Sequence, residues 1–181
     1  MICPLPARLD FLFSLNGLHE VDSEPDPKQP YAVAVGTLSY KRIDRTYQLF
    51  QGLEKSLGLK KLLIVGDSTR VPEVIRTAFD VEVQGFLPDA EMQSTLKRAS
   101  YFISTSEVEN SSCAVLEGLQ LTKKAVLSNI PSHLEMLRKD VALNLPYRGI
   151  DYLIVDQTNV NEDAIVKWSA EIEKMLVQMG F

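Results

Sequence analysis

At 181 residues, with 45% hydrophobic and 24% charged side chains, the chain has the size and composition of one globular domain with a substantial core. A formal net charge of −5 and a pI near 5.1 exclude a general electrostatic attraction to nucleic acid or to an anionic membrane surface, so any phosphate site must be local. Two cysteines, Cys3 and Cys113, lie without zinc-type or disulfide spacing, which points to a reducing compartment and makes the cytoplasm the expected location.

Residues 1–30 start with an apolar run, L-D-F-L-F-S-L, that Asp10 interrupts and that no small-residue cleavage site follows. Neither a signal peptide nor a transmembrane span is expected. D-S-E-P-D-P-K-Q-P then reads as a proline-rich linker, with His19 just before it, so the expected division is an extension or linker over 1–30 and a folded domain over 31–181.

From Tyr31 onward short apolar runs alternate with amphipathic segments, the pattern of βα units around a parallel sheet. Strands are expected at 31–35, 61–65, 81–84, 101–104, 125–128 and 141–145. Ile43, Tyr47, Phe50, Leu53 and Leu57 recur at helical spacing up to Gly58 and mark a crossover helix. Further helices are expected at 71–79, at 89–99 with Asp89 as N-cap, at 111–121, at 132–139 and at 162–179. The last carries Ile165, Trp168, Ile172, Met175 and Met179 as one stripe, best read as core packing. The fold class is therefore α/β, a Rossmann-like doubly wound sheet in three α/β/α layers. In such sheets ligands bind outside the carboxyl ends of the strands, where Gly36, Gly66, Gly85 and 104–112 fall.

Glu109 and Glu117 flank seven residues that run from a loop into a helix. A helix starting near Ser111 or Ser112 offers unpaired amides and the positive end of its dipole to an anion such as a diphosphate, with no metal required. Eight helical steps cover about 12 Å, and ionised carboxylates only accept hydrogen bonds, so the two acids suit hydroxyl-bearing rings on either side of that anion. As an isolated pattern, two such acids are more often merely solvated.

Other chemistries find little support. A single glycine in V-G-T-L-S-Y-K disfavours a dinucleotide loop, and no Walker lysine motif is present. Asp80 and Glu82 enter a strand instead of leaving one, so no metal is assigned. His133 reads as a polar residue in the turn that starts a helix, with no nucleophilic constellation around it.

Five segments in order, V-G-T-L-S-Y-K-R-I-D, L-L-I-V-G-D, V-Q-G-F-L-P-D-A-E-M, S-T-S-E-V-E-N-S-S-C-A-V-L-E-G-L and A-V-L-S-N-I-P-S-H-L-E, resemble the C-terminal, donor-binding half of GT-B glycosyltransferases of the retaining family four, over roughly residues 31–137. The resemblance implies transfer of a sugar from a UDP- or GDP-sugar to a saccharide or lipid-linked acceptor, with no cofactor and no metal. It assigns Glu109 to the transferred sugar and Glu117 to the ribose, and the amides of Ser111, Ser112 and Cys113 to the diphosphate. Lys41 becomes the phosphate lysine and Gly36 the place of close approach, so Glu109 and Lys41 are the expected catalytic pair.

The chain departs from the family pattern at Thr37, where an arginine is usual, at Arg42 and Thr122, where glycines are, and at Gly118, where alanine is. Two expectations follow for the missing guanidinium: Arg42 substitutes for it, or the phosphate site is weakened. The family pairs this half with an N-terminal, acceptor-binding one, onto which the final helix crosses. The resemblance thus implies a missing domain or a partner chain, through which any peripheral membrane association would come. The competing expectation is a degenerate, non-catalytic Rossmann-like module, and an epimerase of related architecture would lack the same half.

Overall fold

The computed structural model describes residue 25, residues 28–110, 112–122, 124–137 and 142–156, and residues 174 and 177. Among the described residues seven strands form one sheet: β1 (Tyr31–Val35), β2 (Lys61–Val65), β3 (Val81–Gln84), β4 (Tyr101–Ser104), β5 (Lys124–Ser128), β6 (Ala142–Tyr147) and β7 (Ile150–Asp156). Their order is β3-β2-β1-β4-β5-β7-β6, with the first five parallel.

Alternation along each strand builds two cores. Ala32, Ala34, Leu62, Ile64, Ile103 and Val126 face one side, against Leu49, Phe50 and Leu53 of α1 (Ile43–Leu57) and Ile75 of α2 (Glu73–Arg76). Val33, Leu63, Val65, Phe102, Ala125 and Leu127 face the other, against Leu96 of α3 (Asp89–Arg98) and Val115 and Leu119 of α4 (Cys113–Thr122). Strands covered on both faces need apolar residues at successive positions, which is why K-L-L-I-V and Y-A-V-A-V are continuous runs. Helix α1 follows the expected stripe and ends at Gly58, whose φ of 67° places it in the left-handed region that few other residues tolerate.

Several boundaries differ from the sequence expectation. Asp89 is the first residue of α3 and Pro88 its cap, with no side-chain capping bond. Helix α2 is a single turn, and α5 (Pro131–Leu134) gives way to turns by Glu135. The 162–179 helix, with Trp168, and nearly all of the 1–30 linker lie outside the described residues.

The sheet also gains β7, which the sequence reading did not contain. Arg148 and Gly149, both at positive φ, close a two-residue turn between β6 and β7, and β7 then pairs antiparallel with β5 from Lys124↔Asp156 to Ser128↔Tyr152. The parallel, doubly wound sheet expected is present in the first five strands, and the hairpin extends it with two antiparallel ones. What matters for the site is the centre of the sheet: strand order reverses between β1 and β4, and the crevice at their carboxyl ends is where open α/β sheets take ligands.

Candidate functional site

Two loops meet at that crevice. The first leaves β1 through Gly36, whose φ is 92°, then turns through a short 3-10 segment, Ser39–Lys41, into α1. A Cβ on Gly36 would lie 3.2 Å from Cε of Lys41, so the missing side chain is what lets the lysine stem fold back over the strand end. The second loop leaves β4 and carries Thr105, Ser106, Glu107 and Glu109.

Lys41 Nζ donates to Glu109 Oε1 at 2.5 Å, and both side chains are nearly buried. The Ser106 hydroxyl donates to the same carboxylate oxygen at 2.8 Å. Beneath them the loops are stitched together: Glu107 N–H donates to the Tyr40 carbonyl at 2.9 Å, and the Thr105 hydroxyl reaches the Arg42 carbonyl at 2.8 Å and shares a 2.7 Å hydrogen bond with Thr46. A carboxylate held this way keeps lone pairs for further donors, and an ammonium held by one oxygen keeps two N–H bonds for others. The expected catalytic pair, Glu109 and Lys41, is thus brought together in direct contact.

The other expected site residues divide. Ser111 lies outside the described residues. Ser112 is buried immediately ahead of α4, where its carbonyl accepts from Val115 and Leu116 N–H, at 3.1 Å each, and its hydroxyl takes a longer 3.4 Å contact from Val115 N–H. The helix starts at Cys113, half-buried with a free thiol, so the amides of Cys113 and Ala114 precede the first of these bonds. Glu117 sits on the second turn of α4, half-buried, while Glu109 belongs wholly to the loop. Helical spacing therefore applies to only part of the interval between the two acids.

Arg42 and Thr37 face elsewhere. Arg42, at φ 51°, forks onto Asp44 at 2.9 and 2.6 Å and also meets Glu107, which Arg45 joins at 2.8 Å. Those two carboxylates raise the guanidinium's already high pKa further, and Arg42 in turn holds the Asp44 carboxyl below its usual range. Thr37 is buried with its side chain against Gly66, where a Cβ would come within 2.9 Å of Thr37 Cγ2. Neither Arg42 nor Thr37 joins the Lys41–Glu109 contact in this arrangement.

The two remaining departures have packing causes. A Cβ on Gly118 would lie 2.5 Å from the Phe102 ring, so this glycine is the partner of a large aromatic residue in β4. Thr122 is buried at the end of α4 and its hydroxyl donates to the Leu96 carbonyl at 2.8 Å, tying α4 to α3.

Residues given no site role from the sequence complete the cluster. His133, expected in the turn that starts a helix, is in the single turn of α5 and fully buried: its Nδ1 lies 2.9 Å from the Ser128 carbonyl and 3.3 Å from the Ser128 hydroxyl. Ser128 in turn donates its hydroxyl to the Ser106 carbonyl at 2.6 Å. Burial pushes the imidazole below its usual pKa, and the ring also feels the charges of Glu109 and Lys41. No spacing rule marks a serine at a strand end as a loop anchor; only its burial does.

Among the described residues no group of three or more His, Cys, Asp or Glu side chains is arranged to hold a metal, and no helix is long and apolar enough to cross a membrane. Asp80 and Glu82 are engaged by Tyr47 at 3.3 Å and Lys61 at 2.8 Å.

Comparison with known proteins bears on the family and the fold. The profile of a family described as glycosyl transferases group 1 matches residues 18–174. Among solved structures, 99% of the chain superposes on a TarM mutant of S. aureus, in complex with Fondaparinux, alpha-GlcNAc-glycerol and UDP, with a TM-score of 0.55 at 15% identity. The pneumococcal O-GlcNAc transferase GtfA, in complex with UDP and GlcNAc, matches 94% of the chain at 0.53 and 12%. WaaG, a glycosyltransferase involved in lipopolysaccharide biosynthesis, matches 97% at 0.51 and 12%. The chain spans 36% of the first two proteins and 45% of the third. No curated protein sequence matches it.

Proposed function

The chain belongs to the glycosyl transferases group 1 family, and from that premise we propose that it is the donor-binding part of a retaining, metal-independent hexosyltransferase of the E-x7-E type. The supporting observation is the contact of Lys41 with Glu109 at the crevice where strand order reverses, beside the start of α4.

A nucleotide-diphosphate sugar fits this arrangement with its anionic centre against Lys41 and the amides of Ser112 to Ala114. Lys41 exchanges a carboxylate partner for a phosphate oxygen, and Glu109, so released, accepts from hydroxyls of the transferred sugar. As the anomeric C–O bond breaks, negative charge grows on the leaving diphosphate, and an ammonium and helix amides already in place stabilise it without reorganisation. The acceptor attacks on the face that the diphosphate leaves. Glu117, one turn further into the helix, suits the ribose hydroxyls. The acceptor, a saccharide or lipid-linked glycan, is then the task of a second domain or partner chain, consistent with a chain that spans under half of the proteins it resembles.

The alternative, a binding module without transfer activity, draws on one observation. Thr37 is buried at the position where the resemblance places an arginine, and Arg42, the possible substitute, is engaged by Asp44 and Glu107. A thermal-shift screen with UDP, GDP, UDP-glucose and GDP-mannose separates the two, because a ligand that binds only the folded state raises its stability by mass action. Saturable stabilisation that Glu109→Gln reduces for the sugar nucleotides but not for UDP supports the donor site; no shift with any of the four at millimolar concentration supports the module.

A further inference from the structure

His133 takes part in none of the chemistry above, yet it is fully buried behind the site. A carbonyl oxygen can only accept, so the 2.9 Å contact with Ser128 places the proton on Nδ1. Nε2 is buried with no hydrogen-bond partner among the described residues. Burying a lone pair unmatched is unfavourable, and an apolar side chain of similar volume would fill the space without that cost. What the ring contributes is its one fixed N–H bond.

That bond is the first step of a continuous path. The Ser128 carbonyl holds the imidazole; the Ser128 hydroxyl holds the Ser106 carbonyl at 2.6 Å; the Ser106 hydroxyl holds Glu109 at 2.8 Å; and Glu109 holds Lys41. It runs from α5 through the end of β5 to the loop after β4, and on to Lys41 in the loop after β1. We propose that His133 is a positioning residue for Glu109: by fixing the end of β5 it aims the Ser128 hydroxyl at Ser106, and so holds the loop that presents Glu109 to the crevice.

The inference rests on the donor-site reading only in its ligand arm. Because the path ends on the acid assigned to the sugar, loss of His133 is felt by a sugar nucleotide more than by the bare nucleotide. His133→Asn keeps an N–H where Nδ1 stands, whereas His133→Gln carries its amide out toward the Nε2 position and loses the Ser128 bond. Ser128→Ala removes the next link while leaving the carbonyl that the imidazole uses.

Hydrogen–deuterium exchange of the full chain reads the loop directly. Residues 105–110, and above all the Glu107 amide bonded to Tyr40, are expected to exchange faster in His133→Gln and in Ser128→Ala, with β1 and α1 unchanged, and to keep their protection in His133→Asn. Calorimetric titration should then show UDP-glucose about tenfold weaker in the first two variants and UDP unchanged, the scale of one lost hydrogen bond. Unchanged exchange over 105–110 in both, or equal loosening in His133→Asn, overturns the proposal. If His133→Gln loosens the whole sheet, Ser128→Ala decides. Should the wild-type chain bind neither UDP nor UDP-glucose, the donor-site reading fails while the exchange result still settles the role of His133.

Discussion

Lys41 and Glu109, 68 residues apart, meet at 2.5 Å and thereby join the loop after β1 to the loop after β4. Each is the other's partner, so under the proposed function a donor would have to compete with this pair before it could use either member.

Removing one partner should therefore split the binding of the two halves of a donor. In Glu109→Gln the lysine is released, and UDP affinity should hold or rise while the affinity for UDP-glucose falls about tenfold, the scale of a charge-assisted hydrogen bond. Lys41→Met should weaken both ligands together. Calorimetric titration of the two variants with both ligands checks the split; parallel losses in Glu109→Gln would speak against a sugar contact.

Gly36→Ala tests the close approach. A φ of 92° is costly for any residue with a Cβ, about 1–2 kcal/mol, and the new methyl would press on the lysine stem. The expected result is a modest drop in urea-unfolding stability with a clear loss of UDP affinity, because the displaced atom belongs to Lys41. A variant that loses stability alone would place Gly36 outside the site.

Gly118→Ala should destabilise the fold by about 1–3 kcal/mol through overpacking, since the added methyl meets the Phe102 ring at 2.5 Å. Shrinking the ring with Phe102→Leu in the same chain should recover part of that loss. Additive effects in a double-mutant cycle by chemical denaturation would show that the two do not share the space.

His133 supplies a pH dependence. Burial lowers its folded pKa below the unfolded value near 6.5, so the unfolded chain binds the proton more readily. The stabilising difference is fully present above pH 6.5 and is lost as pH falls through and below it, at no more than about 1.4 kcal/mol per pH unit for one proton. Unfolding free energies measured from pH 7.5 to 5 should fall less steeply in His133→Asn than in the wild type.

How much of this was legible beforehand depends on whether the determinant is local. Continuous apolar runs gave β1, β2 and β4 to the residue, because a strand buried on both faces leaves no other pattern, and α1 was written in the stripe that stops at Gly58. Strand β7 was invisible as part of the sheet. Its turn, Arg148-Gly149, has a non-glycine residue at positive φ, which no simple turn signal marks, and its pairing with β5 is a long-range event.

The site shows the same division. Glu109 could be singled out from motif spacing and Lys41 from the family resemblance, but their contact depends on strand order, which one sequence does not encode in any local form. Ser106, Ser128 and His133 lie in segments that resemble the family but carry no signal of their anchoring role, because a hydroxyl or imidazole becomes an anchor only when its surroundings exclude water. Arg42 shows the converse: a basic residue in the right loop was captured by Asp44, two positions away, and by Glu107 across the crevice.

The β6–β7 hairpin has a consequence away from the crevice. Without it β5 would end the sheet as an open flank of Ala125, Val126 and Leu127, a template for sticking to another copy. The hairpin occupies that flank, and the new rim, β6, carries Pro146, which has no N–H to offer, and the exposed Asn144. Among the described residues that end of the sheet is thus blunted against stacking rim to rim, and any strand-to-strand self-association would fall to the opposite edge, β3.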